Sequence, residues 1–473
     1  MRSLRRILLL IGLLFILACG LVILAGYRDL AEAGSVSSAH DRSRDYESAA
    51  QHLPWAVDLY QLAGSAALQA GEYERAIILF QTARRKAALT PDGQFELGKA
   101  WFLSGDREKA LAEWRALPNG TRATVNAAPY LVDAYHARAQ FDDEERVLRQ
   151  WLALDSKNAD AQYRLGLLLF ADAAPEAIPL FESAASSSPE LKPGADGLRV
   201  ALKTALEDTS PSLSAGTSPA VRLTDCGRTL AAIGEWPLAL RTFSRATQAD
   251  AKDALAWAWL AEARQQTGGS GALDALQRAV SLAPDSAQIH AMFALYWQRQ
   301  HDWQKVRAEY ESAARLEPQN AFWQVSLGDA WVHLGDLVKA LTYYQNAVSL
   351  SPGDAQTWRA LAQFSVENDV DVDGIGRDAA LRAYALDSEN AQGLDILGRA
   401  LLATQQYDAA ETFFKKALAA APKDAAPAYH LAVLYLQTDK LALAKQYLLS
   451  AQSLDPNGTV GGQASMLLKR YFP

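Results

Sequence analysis

The chain has almost no cysteine. Of its 473 residues only Cys19 and Cys226 carry thiols, so a disulfide framework and a Cys-rich metal site are both excluded. Strand patterning is also missing, and with it any Gly-rich phosphate loop placed between a strand and a helix. There is no Gly-x-Ser-x-Gly elbow. No long basic run follows the N-terminus and the net charge is −8, which leaves a nucleic-acid binder without its electrostatic footprint. The histidines are His40, His52, His136, His290, His301, His333 and His430. None pairs with another at helical ligand spacing beside a carboxylate, so neither a metal nor another cofactor is expected. Beyond the N-terminal segment the longest interval without a repeating pattern is 190–219, too short for a catalytic domain. The chain therefore reads as a non-enzyme with no catalytic residues.

Half of the residues are hydrophobic, and 12 Trp and 17 Tyr are present. The first concentration of apolar residues is 7–26, ILLLIGLLFILACGLVILAG, which carries no charge. At about 1.5 Å per residue this stretch spans roughly 30 Å, the hydrocarbon thickness of a bilayer. Arg2, Arg5 and Arg6 precede it, whereas Arg28 follows it beside Asp29 and Glu32. The positive-inside bias then predicts a cytoplasmic N-terminus, 1–6, a transmembrane signal anchor, 7–26, and an extracytoplasmic body, periplasmic or extracellular. Two other fates leave traces in the sequence. Ala31-Glu32-Ala33 has the small-residue form of a cleavage site, although 7–26 exceeds the apolar core of about 7–15 residues of a signal peptide. Ile16-Leu17-Ala18-Cys19 has the form of a lipidation site, but Gly20 to Ala25 stay apolar after the cysteine.

Residues 27–45 are polar and are expected to form a stalk. From Tyr46 a two-helix pattern sets in and recurs. Its clearest copy is Ala321 to Pro352, in which Trp323, Leu327, Gly328 and Trp331 stand at helical spacing. Gly335 and Asp336 mark a turn, and Leu337, Ala340, Leu341, Tyr344 and Ala347 give a second apolar face. Two helices cannot bury both faces, so such units must stack on copies of themselves. A half-unit with Tyr46, Ala49 and Pro54 opens an N-terminal array, 46–189, with four units at 57–90, 91–124, 125–158 and about 159–189. In the third, Glu144 occupies a position where a small residue is expected. A joint is expected at 190–219, with a helix over 197–207 and a Ser/Pro/Gly loop over 209–219. Seven further units fill 220–456, and 457–473 reads as a capping helix. Pro284, Pro318 and Pro352 recur every 34 residues.

A 34-residue helix–turn–helix period with Leu-Gly, an aromatic, Gly, an aromatic, Ala, Phe/Tyr, Ala and Pro resembles the tetratricopeptide repeat (TPR). The resemblance covers about 57–189 and 220–456. It implies an all-α fold, a TPR α-solenoid wound as a right-handed superhelix, here preceded by one transmembrane helix. Gly166, Gly328 and Gly398 let paired helices approach. The resemblance further implies a concave groove, lined by the first helices, that holds a protein or peptide partner. The corresponding positions are Phe95, Lys99, Phe102, Tyr163, Leu167 and Phe170 in the N-terminal array. In the C-terminal array they are Glu262, Arg299, Asp329, Arg359, Gln363 and Arg399. A carboxylate clamp known in the family is not carried over, because Gln61 and Ser65 stand at its first-repeat positions. Asp369, Asp371 and Asp373 match the first half of a calcium loop, but Ala380 stands where a bidentate Glu is required, and a lengthened turn fits better. The expected role is a membrane-anchored scaffold supporting assembly of an envelope complex. The alternatives are an accessory to secretion or polysaccharide export, or a regulatory subunit of a membrane enzyme.

Overall fold

The computed structural model describes residues 2–207 and 218–473, with side chains described from residue 9. The described residues form 26 α-helices, one π-helical turn and no strand. Two compact units are present, one running to Ala246 and one starting at Thr247. In the first, α1 (Arg2–Ser35) and α2 (Ala39–His52) are followed by four helix pairs. These are α3 (Leu59–Gln69) with α4 (Tyr73–Lys86), α5 (Pro91–Leu103) with α6 (Arg107–Arg115), α7 (Arg122–His136) with α8 (Phe141–Leu154), and α9 (Ala159–Ala171) with α10 (Ala177–Ser187). A single helix, α11 (Lys192–Glu207), precedes the pair α12 (Pro219–Ala232) and α13 (Trp236–Ala249). The second unit holds α14 (Ala254–Gln266), α15 (Ala272–Leu282), α16 (Ala287–Arg299), α17 (Trp303–Leu316), α18 (Ala321–His333), α19 (Leu337–Leu350), α20 (Ala355–Asn368) and α21 (Arg377–Leu386). It ends with α22 (Ala391–Ala403), α23 (Tyr407–Ala420), α24 (Ala425–Gln437), α25 (Leu441–Leu454) and α26 (Thr459–Tyr471).

Local chemistry sets these boundaries. Asp106, Asp302 and Asp336 open α6, α17 and α19, each side chain accepting from the backbone N–H three residues on. First helices are opened by Thr90, Asn158, Ser286 and Asn390 in the same way. The turn inside each pair needs one residue of positive φ, supplied by Gly71, Gly105, Gly234, Gly268 and Gly335. A lysine after the turn then reaches back over the tryptophan before it. Lys109 stands over Trp101, Lys305 over Trp297 and Lys339 over Trp331, at 4.3, 3.8 and 4.1 Å from the ring centres.

Several pairs are closed by a glycine of the first helix facing an aromatic ring of the second. Gly98 faces Trp114, Gly166 faces Phe181, Gly328 faces Tyr344 and Gly398 faces Phe414; a Cβ at any of them would stand under 3.0 Å from the ring. This is the close approach expected for Gly166, Gly328 and Gly398. Stacking then buries continuous layers, such as Tyr344, Leu361, Phe364, Leu397, Phe414, Leu431 and Tyr435.

Two expectations change. The polar stretch 27–45 is not a loose stalk, because α1 continues to Ser35 and α2 starts at Ala39. Asp29, Leu30 and Ala33 face α2, where Asp29 accepts from the Ser48 hydroxyl at 2.7 Å and lies 3.2 Å from His52 Nδ1. The opening element is therefore a full helix pair, and the half-unit expected at 46–56 has its partner in the end of α1. The break between compact units also falls later than 190–219. Helix α13 packs back on the C-terminal end of α9: the Thr242 hydroxyl donates to the Ala171 carbonyl at 2.9 Å, and Arg241 reaches Asp172 at 3.4 Å. The expected helix over 197–207 lies within α11, which starts earlier, at Lys192. The loop expected over 209–219 falls mainly outside the described residues.

Candidate functional site

In the first unit α5, α6 and α7 surround a cavity of about 440 Å³. Its floor is aromatic. Trp114 stacks on Tyr130 at 4.7 Å between ring centres, and Phe102 meets Tyr130 edge-on at 5.4 Å. Arg107 and Arg138 stand at the rim, with the Arg107 guanidinium 5.6 Å from the centre of the Phe102 ring. Phe95 is half-buried against Trp114, and its carbonyl accepts the indole N–H at 3.1 Å. Lys99 is exposed.

A second cavity, of about 370 Å³, lies over α7 and α9 and is bounded by the α12–α13 turn. Tyr163 and Leu167 line it. Phe170 does not: it is fully buried, edge-on to Phe181, because its position on α9 faces α10. At the cavity wall His136 Nδ1 lies 3.1 Å from both carboxylate oxygens of Glu144, and its Nε2 lies 3.1 Å from Glu235. Hydrogen bonds to Glu144 and then to Glu235 push His136 up to about 10. The bond from His136 in turn holds Glu235 below the usual carboxylate range. Glu144, which breaks the small-residue pattern of the second helices, is only 1% exposed and owes its place to this imidazolium.

In the second unit a cavity of about 680 Å³ is lined mainly by α18 and α20, with Gln298, Trp303 and Tyr344 at its edges. Asp329 accepts from the Tyr344 hydroxyl, and burial raises its carboxyl above the usual range. Gln363 donates to Glu367 at 3.1 Å, and Arg399 from α22 reaches the same Glu367 oxygen at 3.4 Å. Trp303 and His333 lie face to face at 3.6 Å. Asp329, Gln363 and Arg399 are thus brought to one surface. Arg359 instead bonds Asp387 at 3.1 Å in the turn before α22. Glu262 and Arg299 form a two-bond pair at 2.6 and 2.7 Å. Burial works against ionisation there, yet the guanidinium keeps Glu262 below its ordinary value.

These pairs share a spacing. Asp133–Arg164, Glu262–Arg299, Glu367–Arg399 and Asp395–His430 each join one first helix to the next, 31 to 37 residues apart. Residues expected to be free hooks for a partner are thus also rungs between repeats. Glu367, His136, Glu235, Tyr130 and Trp303 belong to these surfaces and were not expected there. A one-repeat spacing between opposite charges points to the rungs. The contact of His136 with Glu235 spans 99 residues and has no local signal.

The three acids of 369–373 do not converge. Asp371 accepts from the Gly374 N–H, and Asp373 pairs with Arg377. Val372–Gly376 form the π-helical turn that leads into α21. Among the described residues no group of three His, Cys, Asp or Glu side chains is placed to hold a metal ion.

Family models described as tetratricopeptide repeat match residues 62–120, 291–355, 376–425 and 401–464. A curated relative, anaphase-promoting complex subunit CDC16 of Saccharomyces cerevisiae, is 26% identical over 153 residues, covering 30% of this chain and 17% of the relative's length. Among solved structures, the Cut9–Hcn1 hetero-tetramer aligns with a TM-score of 0.41 at 17% identity over 96% of each chain. Yeast Tom70 aligns at 0.43 and 13% identity, over 96% of this chain and 95% of its own. PilF of Pseudomonas aeruginosa aligns at 0.37 and 17%, over 46% and 98%. With the matched segments, the paired helices and the glycine–aromatic seams in agreement, the chain carries tetratricopeptide repeats.

Proposed function

We propose that the chain is a membrane-anchored scaffold that holds a protein or peptide partner on its first-helix surfaces and supports assembly of an envelope complex. One observation carries this reading. Asp329, Gln363, Glu367 and Arg399, from three successive first helices, meet beside the cavity of about 680 Å³ in the second unit. Polar groups of both signs next to the half-buried Trp303 suit an extended segment with alternating polar and apolar side chains. The aromatic cavity of the first unit offers a separate anchor for a large apolar side chain. TPR proteins bind protein partners as a class, and the curated relative is by its name a subunit of a larger complex. For the anchor, α1 has the length and apolar composition of a membrane span, a property that an N-terminal signal sequence shares. Its residues from Leu9 to Leu17 project from the protein. The arginine distribution supports an extracytoplasmic body.

Photo-crosslinking tests the binding surface. A benzophenone amino acid is placed at Phe102, at Gln363 and at Val338, which is 78% exposed on a second helix. The expected result in intact cells is one shared adduct at Phe102 or Gln363 that is absent at Val338. Equal labelling at all three sites rejects the assignment. Digestion of the body by protease added to spheroplasts, with no need for lysis, is the expected result for the topology. Protection until lysis rejects it.

A further inference from the structure

The apolar segment passes into the first helix pair without a break. Gly26, its last residue, lies so close to Leu53 that a Cβ there would stand 2.6 Å from the Leu53 side chain. Leu53 is buried in a small cluster with Ala49, Ala50 and Leu59, on which Ile23 and Leu30 of α1 also pack. The α2–α3 turn that follows Leu53 is therefore held at the level where the apolar segment ends. It does not turn inward. Trp55 is 57% exposed, Val57 40%, and Tyr27 at the start of the polar part of α1 54%. Exposed Trp and Tyr at such a level are characteristic of the membrane–water interface, where an aromatic body and a polar edge are both accommodated. The charges beside the turn fit a lipid surface. The Lys86 ammonium lies 5.4 Å from the centre of the Tyr60 ring, Tyr60 packs on the Leu53 cluster, and Arg85 and Lys86 are exposed. Cations at this depth meet lipid phosphates. Asp29 is turned inward to Ser48 and His52, which leaves Asp58 as the exposed acid at the edge of the turn.

We propose that residues 54–57, with Tyr27, form a second lipid contact that seats the first repeat in the headgroup layer. The inference rests on the membrane-anchor reading above, and the test separates the two. The full-length chain carrying Cys19→Ala and Cys226→Ala receives a single NBD-labelled cysteine and is reconstituted in phosphatidylcholine vesicles. Trp55→Cys and Val57→Cys report the turn, Val338→Cys a distant surface, and Leu17→Cys the apolar segment. The expected result is several-fold stronger quenching at 55 and 57 than at 338 by a lipid spin-labelled at the headgroup. At 17 the quenching comes from a lipid spin-labelled deep in the acyl chain. Because Val57→Cys keeps Trp55, a local loss of packing in one variant does not decide the result. Quenching at 17 with 55 and 57 no more quenched than 338 overturns the second contact and leaves the anchor standing. No acyl-chain quenching at 17 overturns both.

Discussion

At Gly398 a methyl group would stand 2.6 Å from the Phe414 ring, and both neighbours lie in a layer with no room to yield. Gly398→Ala gains about 1 kcal/mol of helix propensity but overpacks the seam at a cost of about 1–3 kcal/mol. The expected outcome is a lower urea midpoint, with hydrogen-exchange protection lost first in α22 and α23. Gly353→Ala, which meets nothing within 4 Å, should leave the midpoint unchanged. The turn position offers the opposite case. Ala173 has φ 51° where other pairs place glycine, and left-handed backbone costs a non-glycine residue about 1 kcal/mol. Ala173→Gly should raise the unfolding free energy by up to about 1 kcal/mol, read as a higher midpoint in the same urea titration. Both seams and turns were legible in the sequence, since Gly, Phe/Tyr and Ala recur in register. The departures at Ala139, Ala173, His301, Gln405 and Asp439 were not, because the pair geometry imposes positive φ whatever residue stands there.

Between elements, charge does what small residues do within them. Glu144 and Glu235 approach α7 from two directions and His136 joins them. His136→Gln leaves Glu144 buried without its cation, which should cost about 3 kcal/mol and loosen both α8 and the α12–α13 turn. The sign with pH follows from the shift. The folded state holds the imidazolium proton up to about 10, above the unfolded value of about 6.5. The stabilisation is complete below the unfolded value, falls as pH rises and is gone above about 10. The urea-midpoint gap between the parent and His136→Gln should therefore be widest near about pH 6 and closed at about pH 10.5. A gap independent of pH would mean that packing, not charge, holds the turn. Arg399→Glu makes a different case. Its bond to Glu367 is half-exposed, so folding should lose less than about 1 kcal/mol, while crosslinking from Gln363 should be abolished if the surface is the one proposed. The repeat period made Glu262, Arg299, Asp329, Gln363 and Arg399 legible as surface positions. It did not show that most of them are already engaged, because periodicity places residues along one helix at a time and the pairs run between helices.

For the whole molecule, stability in a stack of repeats is a sum of units and nearest-neighbour interfaces, and ends fray first. The first interface is α1 against α2, so removing it should matter. A fragment 41–473 uncovers Ala49, Ala50 and Leu53, which α1 otherwise shields, and should self-associate on size-exclusion chromatography. A fragment 27–473 keeps Asp29, Leu30 and Ala33 in place and should run closer to a monomer. The polar composition of 27–45 concealed this, since three inward residues carry the contact and the rest are solvated. The rungs between first helices have a further consequence at this scale. A surface that neutralises its own charges repeat by repeat supplies its own counter-ions. A charged guest must therefore trade places with a resident carboxylate or guanidinium. The net gain is the difference between two similar bonds, so added salt should alter affinity little. The displaced arm frees one repeat from the next, and occupancy would be felt along the stack as slackened register.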